Sequence, residues 1–336
     1  MFQRYWALLA LLPILAAGLF APGPGLWMGE QRVFTAALVA LILFISGLKI
    51  DLRRLAKHTL NWRALLLGLG TTYCVAPLIA LQAARIFGPS VEGLDSQGRL
   101  FLEALLLAAA QSGTLATALT LTRLARGDCE LSLVLTVFST LSAVILTPLV
   151  LALTLGAVVE IPVGPMVLRM AMIIVLPITL GYGFGRILRH QGLEVPSAVS
   201  AVIPQCIVLT FAYVGFSAAS GEFREDLTLA FRFLGACLGL HFSLLIWTFL
   251  VTRLFGLSGP QRIAVLFGAS QKSVPNGIYL WREFFYANPY GAAPLVLHQL
   301  VQLVAGFLLT PWIERLGAGD SSPRSGIVHS DPGDRS

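Results

Sequence analysis

Ten apolar runs follow one another along the chain, each long enough to form a helix in hydrocarbon and each ended by charged or Pro/Gly-rich residues. They are Tyr5–Phe20, Val33–Leu48, Trp62–Leu81, Phe101–Leu121, Leu131–Ala157, Pro165–Leu188, Ala198–Ala219, Thr228–Leu254, Ile263–Trp281 and Ala293–Trp312. Ten helices of about 20 residues occupy roughly 200 positions. In 336 residues no room is left for a separate soluble domain. Only 12% of the residues are charged, against about 25% in soluble domains. The expected fold class is all-α and integral to the membrane. The first run follows Arg4 and ends in small residues, as a secretory signal does, but with nine runs after it an uncleaved helix is expected.

The net charge of +6 does not imply a nucleic-acid partner, because the basic residues follow membrane topology instead of forming a patch interleaved with aromatics. Starting from a cytoplasmic amino terminus, fifteen of the 23 Lys and Arg fall on the inner side, among them Lys49, Arg53, Arg54, Lys57, Arg123 and Arg189. Five fall outside: Arg32, Arg85, Arg99, Arg224 and Arg282. This bias puts both termini in the cytoplasm, with the chain in the plasma membrane, the inner membrane of a bacterium. Residues 317–336, rich in Gly, Ser, Asp, Pro and Arg, read as a disordered cytoplasmic tail. The four cysteines show no CxxC spacing, so neither a disulfide framework nor a metal site is expected. No HExxH, GxSxG, P-loop or GxGxxG is present and the five histidines are scattered, so no enzyme activity and no cofactor are expected.

Three short echoes divide the chain in two. Arg85-Ile86-Phe87-Gly88 recurs as Arg253-Leu254-Phe255-Gly256, and Leu146-Thr147-Pro148 as Leu309-Thr310-Pro311. Between them lie two polar interruptions, Gln111-Ser112-Gly113-Thr114 in the fourth run and Gln271-Lys272-Ser273 in the ninth. Five spans is an odd number, so a second copy enters the membrane from the opposite side, which is the inverted-repeat plan of secondary transporters. The expected repeats are residues 1–160 and 161–316, each of five helices.

Irregular backbone survives at bilayer depth only when buried in protein or lining a wet cavity. The fourth and ninth helices are therefore expected to break and cross, the ninth at Gln271 to Gly277, where Pro275 removes an amide hydrogen. Lys272 is the charge set well inside a run, a placement that costs about 2.5–3.5 kcal/mol on insertion scales. Its relief has three routes: carbonyls of the crossing, an anionic substrate, or loss of its proton. Oxygen-bearing neutral side chains gather in the same runs: Thr72, Ser112, Thr114, Thr117, Ser132, Thr136, Gln271, Ser273 and Asn276. These residues, with Gln111 and Lys272, form the expected substrate or ion site. His298 and Gln302, one helical turn apart, read as a mutual hydrogen bond or an outer contact of that site.

At Phe44-Ile45-Ser46-Gly47-Leu48-Lys49, Leu124-Ala125-Arg126-Gly127-Asp128 and Gly268-Ala269-Ser270-Gln271-Lys272-Ser273 the sequence resembles the bile acid:sodium symporter family. It is most similar to the divergent branch of solute carrier family 10 member 7 and its bacterial relatives. The resemblance spans residues 5–315. It implies a panel of the first, second, sixth and seventh helices against a core that holds the crossed fourth and ninth. Of the sodium ligands it implies, Ser132, Thr136 and Gln271 are retained. Thr72 replaces a glutamine, Ala118 and Leu119 a Ser-Asn pair, Phe267 a glutamate, and Lys272 an asparagine. A negative charge is lost and a positive one gained. The function expected is secondary transport of a small organic anion by alternating access, either sodium-independent or proton-linked. The alternatives are a sodium symporter with neutral Lys272, or a regulatory membrane protein on the same scaffold. The partners are the anion and the lipid bilayer, the coupling ion is H⁺ or Na⁺, and oligomeric state is left open.

Overall fold

The computed structural model describes residues 2–318 apart from 51–60, 90–95, 157–158, 197–198 and 200–201. The expected tail from residue 319 onward lies outside the described residues, as do Arg53, Arg54, Lys57, Arg324 and Arg335. Residues 317 and 318, placed in that tail by composition, instead continue the last helix.

Over the described residues each long apolar run is helical, the fourth and ninth with a break. The helices are α1 (Phe2–Phe20), α2 (Gly23–Glu30), α3 (Arg32–Leu48), α4 (Trp62–Phe87), α5 (Ser96–Ala109), α6 (Leu115–Leu124) and α7 (Cys129–Leu155). There follow α8 (Val163–His190), α9 (Ile203–Ala218), α10 (Ser220–Glu225), α11 (Leu227–Leu254), α12 (Gly259–Ser270), α13 (Val274–Phe284) and α14 (Ala293–Ala318). Among the described residues five helices are each long and apolar enough to cross a membrane: α4, α7, α8, α11 and α14. A sixth candidate is the pair α1 and α2, bent by 90° where Pro22 and Pro24 interrupt the hydrogen-bond ladder. Helices α3 and α9 are apolar but shorter. The fourth and ninth runs are each split, into α5 with α6 and α12 with α13.

Two helices stay continuous by widening a turn. Helix α4 has a π-type turn at Thr71–Val75 and α8 has one at Ala171–Val175. Each lies just before a proline, Pro77 and Pro177. A proline ring excludes the carbonyl four residues earlier, and a π turn relieves that clash without ending the helix. The widened turn also leaves a carbonyl outside the regular ladder, which the site below uses.

The packing follows the needs of helices in lipid, where close van der Waals contact replaces the hydrophobic effect as the force between them. Helix α3 lies against α8 and α1 against α9. The first contact depends on small residues. A Cβ on Gly181 would collide with the Phe44 carbonyl oxygen, and one on Gly185 with that of Leu48. Arg189 then closes the end of α3, its guanidinium donating to the carbonyls of Leu48 at 2.8 Å and Ile50 at 3.0 Å. Helices α4, α7, α11, α13 and α14 pack around α5, whose Leu105, Leu106 and Leu107 are fully buried.

The close approach of α3 and α8 is testable. Gly181→Ala should destabilise the solubilised protein by about 1–3 kcal/mol, the usual cost of overpacking. Gly183→Ala, where a Cβ meets nothing within 4 Å, should leave the unfolding temperature unchanged.

Candidate functional site

The two interruptions meet. Residues 110–114 and 271–273 are extended segments that pair antiparallel at Gly113 and Lys272. The Thr114 amide donates to the Gln271 carbonyl at 3.3 Å and the Ser273 amide to the Ser112 carbonyl at 2.9 Å. Side chains satisfy what this pairing leaves open. The Gly113 amide donates to Ser139 Oγ at 3.0 Å, and Thr147 Oγ1 donates to the Ala110 carbonyl at 2.8 Å. Position 113 must be glycine, because a Cβ there would strike the Gly268 carbonyl oxygen. The ninth helix breaks over a shorter stretch than its sequence implies. Pro275 and Gly277 lie inside α13, with Pro275 in the first turn, where its missing amide hydrogen costs nothing.

Lys272 sits in the break of the ninth helix and is 2% exposed. Its ammonium donates to the Thr72 carbonyl at 3.1 Å and the Gln111 carbonyl at 3.3 Å. One acceptor is freed by the π turn of α4, the other by the end of α5. Of the three routes to relief, these contacts are the first, solvation by carbonyls. The backbone of Lys272 is clamped from its other side by Gln302 of α14. Gln302 Oε1 accepts from the Lys272 amide at 2.7 Å, and Nε2 donates to its carbonyl at 3.1 Å and to Gln299 Oε1. A single amide side chain thus acts as a third strand beside the bridge. Of the two expected roles of Gln302, a bond to His298 or an outer contact of the site, this clamp is the second.

A cleft of about 1310 Å³, counted with its solvent-open mouth, lies against the opposite side of the crossing. Its floor is the first turns of α6 and α13, with Gly113, Thr114, Thr117, Ser273 and Asn276. Neither Thr114 nor Ser273 caps its helix with a side-chain hydrogen bond, so both positive helix ends remain open toward the cleft. The walls are apolar, built from Ile42, Ile45, Ile178, Val208, Leu303 and Phe307. Lys49 lines the mouth just beyond α3, and among the described residues no acidic side chain lines the cleft. Burial first, and then the Arg123 guanidinium, hold the Lys49 ammonium below the ordinary lysine pKa.

The predicted residues therefore fall into two sets. Thr114, Thr117, Ser273 and Asn276 line the cleft, while Lys272, Gln271, Gln111, Ser112, Ser132, Thr136 and Thr72 are buried behind it. Ser132 Oγ accepts from Thr122 at 3.1 Å, and Thr136 Oγ1 donates to its own helix. Within the buried set Gln271 has no hydrogen bond at either side-chain atom, and Thr72 Oγ1 and Gln111 Oε1 are also unsatisfied, as is Asn276 Oδ1 of the cleft-lining set. Ala118 and Phe267, where the family resemblance places sodium ligands, are fully buried in an apolar cluster with Leu121, Leu266 and Ile313. The sequence reading missed the cleft-lining roles of Lys49, Ser46, Gln205 and Gln299. Lys49 and Ser46 stood in a quoted motif, but only packing brings α3 to the crossing.

Residues 5–315 match the SBF-like CPA transporter family. An uncharacterized protein of Pseudomonas aeruginosa is 28% identical, the match covering 88% of this chain and 89% of the relative. Sodium/bile acid cotransporter 7-A of Xenopus laevis is 22% identical over 93% of this chain and 92% of its own length. The probable sodium/metabolite cotransporter BASS3, chloroplastic, of Oryza sativa subsp. japonica is 30% identical over 52% of this chain and 40% of its own. The family and the two named cotransporters are transporters, in line with the lack of any enzyme motif in the sequence.

The clamp gives a local test. Gln302→Leu leaves the Lys272 amide and carbonyl unpaired, at a cost of about 1–3 kcal/mol each. Hydrogen exchange at residues 271–273 should speed up in the variant while exchange in α7 is unchanged. Unaltered exchange at the break would rule the clamp out.

Proposed function

The chain belongs to the SBF-like CPA transporter family, and from that premise we propose that it moves a small organic anion across the membrane by alternating access around the crossed breaks. One observation carries the reading. The uncapped N-termini of α6 and α13 open side by side onto an apolar cleft with a lysine at its mouth. Each helix end is worth about half a positive charge. A carboxylate at the floor and an apolar body along the walls match that lining.

In this proposal the ten helical segments are ten crossings arranged as inverted halves, 1–160 and 161–316. Both termini lie in the cytoplasm, and in a bacterial cell the membrane is the inner one. The mouth beside Lys49, Thr120 and Gln205 then faces the cytoplasm, so the described conformation is open inward. Helices α1, α3, α8 and α9 form the wall that moves relative to the crossing.

Lys272 takes the place of a coupling cation. Its ammonium already neutralises the carbonyl ends of the crossing, and two unit charges 4 Å apart repel by about 4 kcal/mol at an effective dielectric near 20. Sodium would meet that repulsion and would lack a carboxylate, because Phe267 stands in the glutamate's place. Transport is therefore sodium-independent.

Flux into proteoliposomes tests this directly. Uptake of an organic anion, selected by thermal-shift screening, should be saturable, show counterflow and be equal with and without a sodium gradient. Strong sodium dependence in the parent protein would overturn the fixed-cation role of Lys272. A lowered Lys49 pKa adds a pH prediction. The charged ammonium favours the anion, so affinity should decline with rising pH before the ordinary lysine range is reached. Lys49→Arg should hold affinity to more alkaline pH, and Lys49→Gln should lower it at every pH.

A further inference from the structure

Two histidines that the crossing does not use face each other inside the protein. His241 of α11 is 0% exposed and His298 of α14 is 1% exposed, and their ring centroids stand 5.4 Å apart at 81°. None of the four ring nitrogens makes a full hydrogen bond. The nearest polar neighbours are the Ser270 backbone beside His241 and Gln302 beside His298. Two buried imidazoles without partners are an expensive way to fill space, because buried polar groups are ordinarily paired. The spacing itself is informative. An N–H···N bond of about 3 Å, with roughly 1 Å from each nitrogen to its ring centre, requires centroids about 5 Å apart. Rotation of the rings thus suffices to join them by one shared hydrogen.

The pair also borders the ninth-helix break. Ser270 is the last residue of α12, and Gln302, one turn beyond His298, grips Lys272. The charges acting on the pair are the partner ring and Lys272. Cys237, one turn before His241, is occupied with the Pro294 carbonyl. On neighbouring helices Glu103 is held by Asn288, while Arg85 lies in the last turn of α4 and Arg315 toward the end of α14. No group of three metal-binding side chains occurs among the described residues, which leaves the proton as the ligand that two imidazoles suit.

We propose that His241 and His298 form a single proton-binding site, one imidazole donating to the other when the proton is bound. The nitrogen lone pair of one ring takes the proton, and the second ring stays neutral as acceptor. Because the protonated pair and the Lys272 ammonium repel, proton binding alters the field at the crossing through the Gln302 clamp. This supplies a proton as the coupling ion of the proposed transporter. It rests on that reading only in taking Lys272 as a fixed cation.

Full-length protein in vesicles of phosphatidylethanolamine and phosphatidylglycerol, adsorbed on a solid-supported membrane, allows a test without substrate. A pH jump should displace charge in the parent. His241→Gln, His298→Gln and the double variant should each lose that displacement to the same extent, while Lys272→Gln keeps it. Persistence in the double variant, or loss confined to Lys272→Gln, overturns the shared site. A sodium jump on the same membranes reports separately on the fixed-cation reading. An infrared measurement avoids altering the pair. With His58→Asn, His190→Asn and His329→Asn in place, ring-labelled histidine should titrate as one proton for the two remaining rings. Two independent protons, or none, overturn the proposal.

Discussion

Breaking a helix inside hydrocarbon frees amides and carbonyls that lipid cannot satisfy, and the centre of this protein is organised by that constraint. The breaks at 110–114 and 271–273 answer it by pairing with each other, with Ser139 and Thr147 of α7, and with Gln302 of α14. Four segments are thereby fixed at one point. The glycine that this approach demands, the π turn of α4 and the amide clamp are consequences of the same requirement.

Once the breaks are paired, the remaining helix ends sort by charge. The carbonyls of Gln111, at the end of α5, and Thr72, in the π turn of α4, meet the Lys272 side-chain nitrogen. The amide ends face the cleft. In the proposed reading the Lys272 side chain supplies a cation as part of the covalent structure, and the place left for a mobile partner suits an anion. This division explains why the predicted site residues separate into a buried set and a cleft-lining set. It also fits the apolar packing of Ala118 and Phe267, since a crossing that carries its own cation has no need of a carboxylate beside it.

The all-helical class and both breaks were legible because hydrophobic runs and polar interruptions are local signals. The length of the ninth-helix break was misread, since Pro275 is a helix breaker in the interior and a helix starter in the first turn. The π turn at Thr71–Val75 has no composition of its own beyond a proline two residues later. Gln302 was read as a partner of His298 or an outer contact of the site, and its grip on the Lys272 backbone, 30 residues away, could not be read from spacing. Lys49 was seen as a topological charge, and only the packing of α3 beside α13 and α9 makes it part of the cleft. Long-range contact, more than residue type, separated what could be read from what could not.

The central claim is that a lysine ammonium occupies the cation position at the crossing. A ligand that binds the native state raises the unfolding temperature with concentration. Unfolding of the purified protein, followed in sodium chloride and in choline chloride at equal ionic strength, addresses the claim most directly. The account predicts superimposable curves at every salt concentration. A saturable rise specific to sodium would contradict it.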